Sequence, residues 1–285
     1  MSAGVMQGVP VTGVWSAWWR CSSRLGQWLL LAILALAIFG PLLNLLLWAV
    51  AEKWYFPHKL PLQYGFSFWQ RVFRPQGDAW QSLWLSLLIA CGAVVMSLAL
   101  SIPAGYALAR RRLPLRALIM FVFLLPQAFP SLGVYMNVAQ IFYRLGLNGT
   151  LFGVMLVHTV HGLVLSVWIC AAAFASVDKQ QEEAARNLGA SPLQAFFHAT
   201  LPQAAAGLMA SAIFVFLESM DEFTGVFFVG IPEIKTLPVL LYSASMEGNY
   251  QIASITALIL LVPSIGFMLM IHRVLKVETL GKIGA

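Results

Sequence analysis

The sequence predicts an all-α, polytopic membrane protein of six transmembrane helices, with a helix-turn-helix loop on the cytoplasmic side. Three observations predict it. Of 285 residues, 60% are hydrophobic and only 10% charged, where a soluble domain carries about 25% charge, and the mean hydropathy is +0.81. Continuous apolar runs of roughly 20 residues, the length a helix needs to cross hydrocarbon, recur along the chain. Lys and Arg gather at the ends of those runs, a pattern of membrane topology. The runs do not alternate as barrel strands do. A backbone in lipid must satisfy its own hydrogen bonds, so each run is expected to be a helix.

The elements follow in order. A polar lead, residues 1–27, is too long for a cleavable signal, and the apolar run behind it too extended, so the first helix (28–50) is expected to stay as an anchor. An outer, periplasmic loop covers 51–82. A five-helix core covers 83–273, with spans at about Leu83–Leu108, Leu115–Ile141, Phe152–Ser176, Ala204–Val229 and Ile252–His272. A polar loop at 178–203 interrupts it, and a short tail, 274–285, follows. Pro103, Pro126 and Pro130 lie within spans, where a missing N–H kinks a helix. They are read either as packing geometry or as hinges. The aromatic loop Lys53–Phe73 is expected at the membrane interface.

Charge gives the orientation. Eleven of the 17 Lys and Arg residues fall on one side. Four of them, Arg110, Arg111, Arg112 and Arg116, crowd the short loop "ARRRLPLR". By the positive-inside rule both termini are expected to be cytoplasmic. The net charge of +6 therefore reads as topology and not as nucleic-acid binding. Cys21, Cys91 and Cys170 are far apart and show neither a disulfide framework nor zinc spacing. His158 and His161 stand one turn apart without a third ligand, so interhelical hydrogen bonding is expected rather than metal.

The loop "QQEEAARNLGASPLQAFFHATLP", Gln180–Pro202, is more specified than a linker needs to be. Its first half favours helix, and Gly189 is a natural C-terminal stop. Ser191 can serve as N-cap, Pro192 fits the first helical position, and Gln194 completes a capping box. Leu193, Phe196, Phe197 and Leu201 are expected on one helical face. Ala184, Ala185 and Gly189 would let another backbone come close. Periodicity alone also fits an amphipathic loop lying on headgroups.

The same residues resemble the EAA loop of permeases of binding-protein-dependent ABC importers. The pattern is Glu183-Ala184-Ala185, then Gly189, then Leu201-Pro202. "LPQAFPS", "NGTLFGVMLVHTV", "MDEFTGVFFVG" and "TLPVLLYS" look like the spermidine/putrescine branch of that family. The likeness runs from about Leu83 to Arg273. It departs at Ala206, where relatives carry proline, and at Glu218, where they carry a small or apolar residue. The resemblance implies a permease subunit for a small solute, a polyamine or another amine-bearing compound. It implies docking of two ATP-hydrolysing subunits on the loop, with Glu183, Ala184, Ala185, Gly189, Ser191, Pro192, Phe196, Leu201 and Pro202 as the docking residues. It also implies a second, related permease chain, an extracytoplasmic binding protein, and residence in the bacterial inner membrane. No Gly-x-x-x-x-Gly-Lys-Ser/Thr loop is present, so ATP hydrolysis is expected on another chain and no cofactor here.

One constellation bears on cargo. Glu218, Asp221 and Glu222 fall at i, i+3 and i+4 of the fifth span, hence on one face. A charge at the bilayer centre costs about 2.5–3.5 kcal/mol on insertion scales. These acids are expected to line a wet, electronegative path or to gate the outer helix end; the family resemblance, which has an acid at Asp221, implies that Asp221 matters most. The alternative function class is an ion-coupled secondary transporter using the same acids. A membrane enzyme would need a nucleophile–base or metal constellation, which the sequence does not offer.

Overall fold

The computed structural model describes residues 13–55, 57–74 and 77–283, with backbone alone at 13–25 and 271–283. Residues 1–12 of the lead and 284–285 of the tail lie outside the described residues, as do the side chains of Arg20, Cys21, Arg24, Arg273, Lys276 and Lys282. Among the described residues the chain is helical apart from one small hairpin. Helix α1 (Gly13–Ala49) leads to β1 (Ala51–Lys53), β2 (Gln63–Tyr64) and a short α2 (Ser67–Val72). Then come α3 (Asp78–Arg110), α4 (Arg116–Ala128), α5 (Ser131–Leu145) and α6 (Leu151–Ser176). The polar loop holds α7 (Lys179–Asn187) and α8 (Pro192–Ala195), and a π turn at Phe196–Thr200 runs into α9 (Leu201–Asp221). Helices α10 (Thr224–Val229), α11 (Leu237–Met246) and α12 (Tyr250–Ile283) complete the chain.

Among the described residues five helices are long and apolar enough to cross a membrane, six if α4 and α5 count as one broken span. The third span is therefore not the continuous helix its hydropathy suggests. It bends by 96° between α4 and α5. Phe129 is pushed to extended backbone (φ −100, ψ 146) by the proline after it, and Pro130 then starts the new helix. Pro103 and Pro126 stay inside their helices. The fifth span also stops early, since Glu222 is extended (φ −70, ψ 112) and α10 begins afresh. Helix α11 is an element that hydropathy did not reveal. Its ten residues reach about 15 Å, too short to cross. Its first turn is buried instead at Leu237, Pro238 and Val239, with the Leu237 N–H donating to Ser86 Oγ at 2.9 Å.

The core is α3, α6 and α9 packed lengthwise. Apolar attraction between helices is weak in lipid, so close approach and polar cross-links hold such bundles. Helix α3 buries a stripe of small residues that includes Ser82, Ser86, Ala90, Ala93, Ser97, Ser101 and Gly105. A Cβ on Gly105 would stand 2.7 Å from Cys170 Cβ and 2.8 Å from the Ala171 nitrogen. A Cβ on Gly207 would collide with Ala173. Ser97 Oγ donates to the Thr159 carbonyl at 3.2 Å, and Cys170 is buried beside Ser101 and Ser211. Helix α1 stands apart, exposed along its apolar length and touching chiefly α12. The aromatic loop folds as the hairpin plus α2, with Trp48 stacked on Trp54 at 4.1 Å and Trp69 Nε1 donating to the Ala49 carbonyl.

Candidate functional site

The polar loop folds into a compact knob whose local form follows its sequence. Asp178 caps α7, accepting from the Gln180 N–H at 2.9 Å. The helix ends in a Schellman turn: the Gly189 N–H bonds the Arg186 carbonyl and the Ala190 N–H the Ala185 carbonyl, with Gly189 at φ +94. Ser191 and Gln194 form a reciprocal capping box at 3.3 and 2.9 Å, with Pro192 in the first turn. The helix then runs unbroken through Pro202. That proline offers no N–H to the His198 carbonyl, and its ring would crowd it; the π turn just before it widens the helix at that place.

The π turn also overturns one expectation. Leu193, Phe196, Phe197 and Leu201 do not share one face. The inserted residue shifts the register, so Ala195, Thr200 and Ala204 point inward. Phe196 and Leu201 pack beside them, against Phe174 and Tyr106, while Leu193 and Phe197 turn outward. Of the remaining predicted docking residues, Glu183, Ala184, Gly189, Ser191, Pro192 and Pro202 are exposed and Ala185 is half-buried.

What fixes the knob to the bundle is Glu182, which the sequence reading passed over. Its carboxylate accepts from Tyr106 Oη of α3 at 2.6 Å and from Thr200 Oγ1 at 3.0 Å, with Arg110 Nε at 3.6 Å. Tyr106 meets Phe174 and Phe196 edge to face, with centroids 5.5 and 5.0 Å away, and those two phenylalanines lie tilted to each other at 5.9 Å. No local signal marked it, because its partner Tyr106 lies 76 positions away in the chain.

The acids at the far end of α9 are not brought together as expected. Glu218 Oε2 lies 2.9 Å from His161 Nε2 of α6. Glu222 reaches toward the other ring nitrogen at 3.8 Å, and Tyr135 Oη of α5 lies 3.2 Å from it. Glu222 is buried and accepts from the Gly225 N–H at 2.7 Å, which starts α10. Asp221, still on α9 with Glu218, is exposed and makes no side-chain hydrogen bond or ion pair among the described residues. The helix ends at Asp221, so the i, i+4 relation no longer holds for Glu222. The two histidines do bond across helices, His158 Nδ1 lying 2.6 Å from Ser219 Oγ. No group of three metal-ligating side chains occurs among the described residues. Beside His161 a largely apolar cavity opens between α4, α5 and α6, walled by Pro126, Phe129, Tyr135, Val157 and Val164.

A small-residue helical bundle, two broken spans and an anchored polar knob define a transporter subunit of the membrane. The chain belongs to the family described as binding-protein-dependent transport system inner membrane component, which matches residues 101–276. It is thus a multi-pass permease subunit of an ABC importer, a transport subunit of the membrane. It is 26% identical over 261 residues (90% of this chain, 97% of the relative) to the permease protein PhnV of Salmonella typhimurium, named for a 2-aminoethylphosphonate transport system. It is 29% identical over 222 residues (75% and 80%) to the trehalose transport system permease protein SugB of Mycobacterium tuberculosis. In fold it resembles a bacterial ABC transporter involved in the import of the acidic polysaccharide alginate, with TM-score 0.69 and 19% identity over 93% of this chain and 99% of that one.

Proposed function

We propose that this chain pairs with a related but different permease chain, above two copies of an ATP-hydrolysing subunit and beneath a substrate-binding protein. The knob at 178–203 docks the ATPase. One observation carries this reading: the knob is anchored to α3 and α9 through Glu182, while Leu188, Leu193 and Phe197 stand 90%, 70% and 55% exposed. Apolar side chains held outward on a rigid, water-facing element favour a partner. A pull on them passes straight into two spans.

The proposed cargo is a small amine-bearing solute. Asp221 is exposed and the Glu218 side chain is 36% exposed. An ionised group turned to lipid costs about 2.5–3.5 kcal/mol, so this face of α9 is assigned to the water path shared with the second permease. Polyamines and 2-aminoethylphosphonate both carry the ammonium such acids attract, and trehalose does not. None of the relatives described above is named for polyamines, so a polyamine is one member of the class and not its default. The test is uptake by the complete complex in proteoliposomes, offered putrescine, 2-aminoethylphosphonate and trehalose. ATP-driven uptake of trehalose alone would end the amine reading. Uptake driven by an ion gradient without ATP would end the coupling reading.

Both termini are proposed to be cytoplasmic. Arg110 and the knob sit at one end of the bundle, bridged by Glu182. Arg112→Cys and Gln180→Cys should resist an impermeant thiol reagent added outside, and Gly65→Cys and Glu247→Cys should react. The opposite labelling would invert the chain.

A further inference from the structure

The knob does not lie flush on α3. A pocket remains between them, with Arg110, Arg111 and Arg186 at one end and Ile102, Ala107 and Phe196 along its length. Three features of it point to a ligand. The Arg110 side chain is only 7% exposed, yet its Nη1 and Nη2 are buried without a hydrogen-bond partner among the described residues. Glu182, the one acid of the pocket wall, reaches only Nε and is already engaged by Tyr106 and Thr200. Three cations therefore face one occupied carboxylate, and buried guanidinium N–H groups left without an acceptor are costly. Its planar fork fits the oxygens of a phosphate.

The pocket is also graded. Ile102 lies eight residues above Arg110, about 12 Å along the helix, in the apolar part of a membrane span. A soluble subunit docked on the knob could offer a carboxylate at the rim, but could not follow the groove into hydrocarbon. A ligand with an anionic head and an apolar tail fits both ends. Basic pockets between helices on the cytoplasmic side recognise anionic lipid headgroups on this chemistry.

We propose that this pocket binds an anionic phospholipid, with its phosphodiester on Arg110, Arg111 and Arg186 and an acyl chain along Ile102 and Ala107. Such a lipid braces the knob against α3 next to the Glu182 anchor, and makes coupling depend on the anionic lipid content of the membrane. This holds whichever cargo the complex carries.

The complete complex is purified in detergent and titrated with phosphatidylglycerol, phosphatidylcholine or inorganic phosphate, with retained lipid read by native mass spectrometry and thermal midpoint. Phosphatidylglycerol should be retained and stabilising and phosphatidylcholine should not. Arg111→Gln and Arg186→Gln should each weaken retention about fivefold. Ala107→Trp, which fills the groove and leaves every charge in place, should abolish it, and decides the matter alone if the arginine variants do not assemble. Equal retention in wild type and variants overturns the proposal. So does stabilisation by inorganic phosphate equal to that by the lipid, because the acyl groove would then play no part.

Discussion

The two ends of the fifth span are built by different rules. At the knob end, form comes from neighbours: Asp178 with Gln180, Ser191 with Gln194, and Gly189 closing α7 within five residues. At the far end it comes from distant partners: Glu218 with His161 across 57 positions and Ser219 with His158 across 61. The knob end is a shape made locally and then anchored through one carboxylate. The far end is a cluster that exists only once α5, α6 and α9 have packed. A coupling element gains from keeping its shape while it moves. A polar cluster beside a break in the span can rearrange when the helices shift, since its geometry belongs to no single helix.

The largest expected effect breaks the anchor and leaves the shape. Glu182→Ala removes two hydrogen bonds and strands Arg110, a loss of about 3–5 kcal/mol for a buried pair broken from one side. ATP-driven uptake in proteoliposomes should fall to background while the subunit still inserts in the membrane, and ATP hydrolysis should lose its response to the binding protein. Glu183→Ala, one residue along and exposed, should leave the anchor intact. Equal damage from the two would show that Glu182 has no special standing.

Next is the far cluster. Glu218→Gln keeps the size but loses the charge-assisted bond to His161, worth about 1.5–3 kcal/mol, so uptake should drop about tenfold or more. Asp221→Asn should do less, because Asp221 lacks that bond. This reverses the order that the family resemblance implies, and uptake rates of the two variants measured side by side decide it.

A smaller effect separates packing from site chemistry. Gly105→Ala puts a methyl group against the backbone of α6, where nothing can rotate away, and should destabilise by about 1–3 kcal/mol. Gly92→Ala meets only the flexible Met155 side chain and should cost much less. Thermal midpoints of the detergent-solubilised subunit compare the two. The smallest effect is local: Ser191→Ala removes one side of the capping box, about 1 kcal/mol of helix stability, and should lower the midpoint slightly with uptake nearly intact. A large loss of uptake from Ser191→Ala would mean that the shape of the knob is itself supported by its partner.

The sequence by itself determined what depends on composition and on residues a few positions apart. Continuous apolar runs specify membrane helices because lipid leaves the backbone no other way to satisfy its hydrogen bonds. Ser191-Pro192-x-Gln194 and Gly189 specify a cap and a stop because those bonds close within one turn. The tertiary structure decided the rest. Hydropathy is blind to the bend at Pro130, because two helices at an angle are as apolar as one straight span. Helical spacing put Asp221 with Glu218 and Glu222, but the helix ended first and His161 selected two of the three. Glu182 looked like one more acid on a polar loop until Tyr106, 76 positions away, was folded onto it. A long-range partner leaves no mark on the local pattern of either residue, because its geometry is created by the packing of whole helices and not by the chain between them.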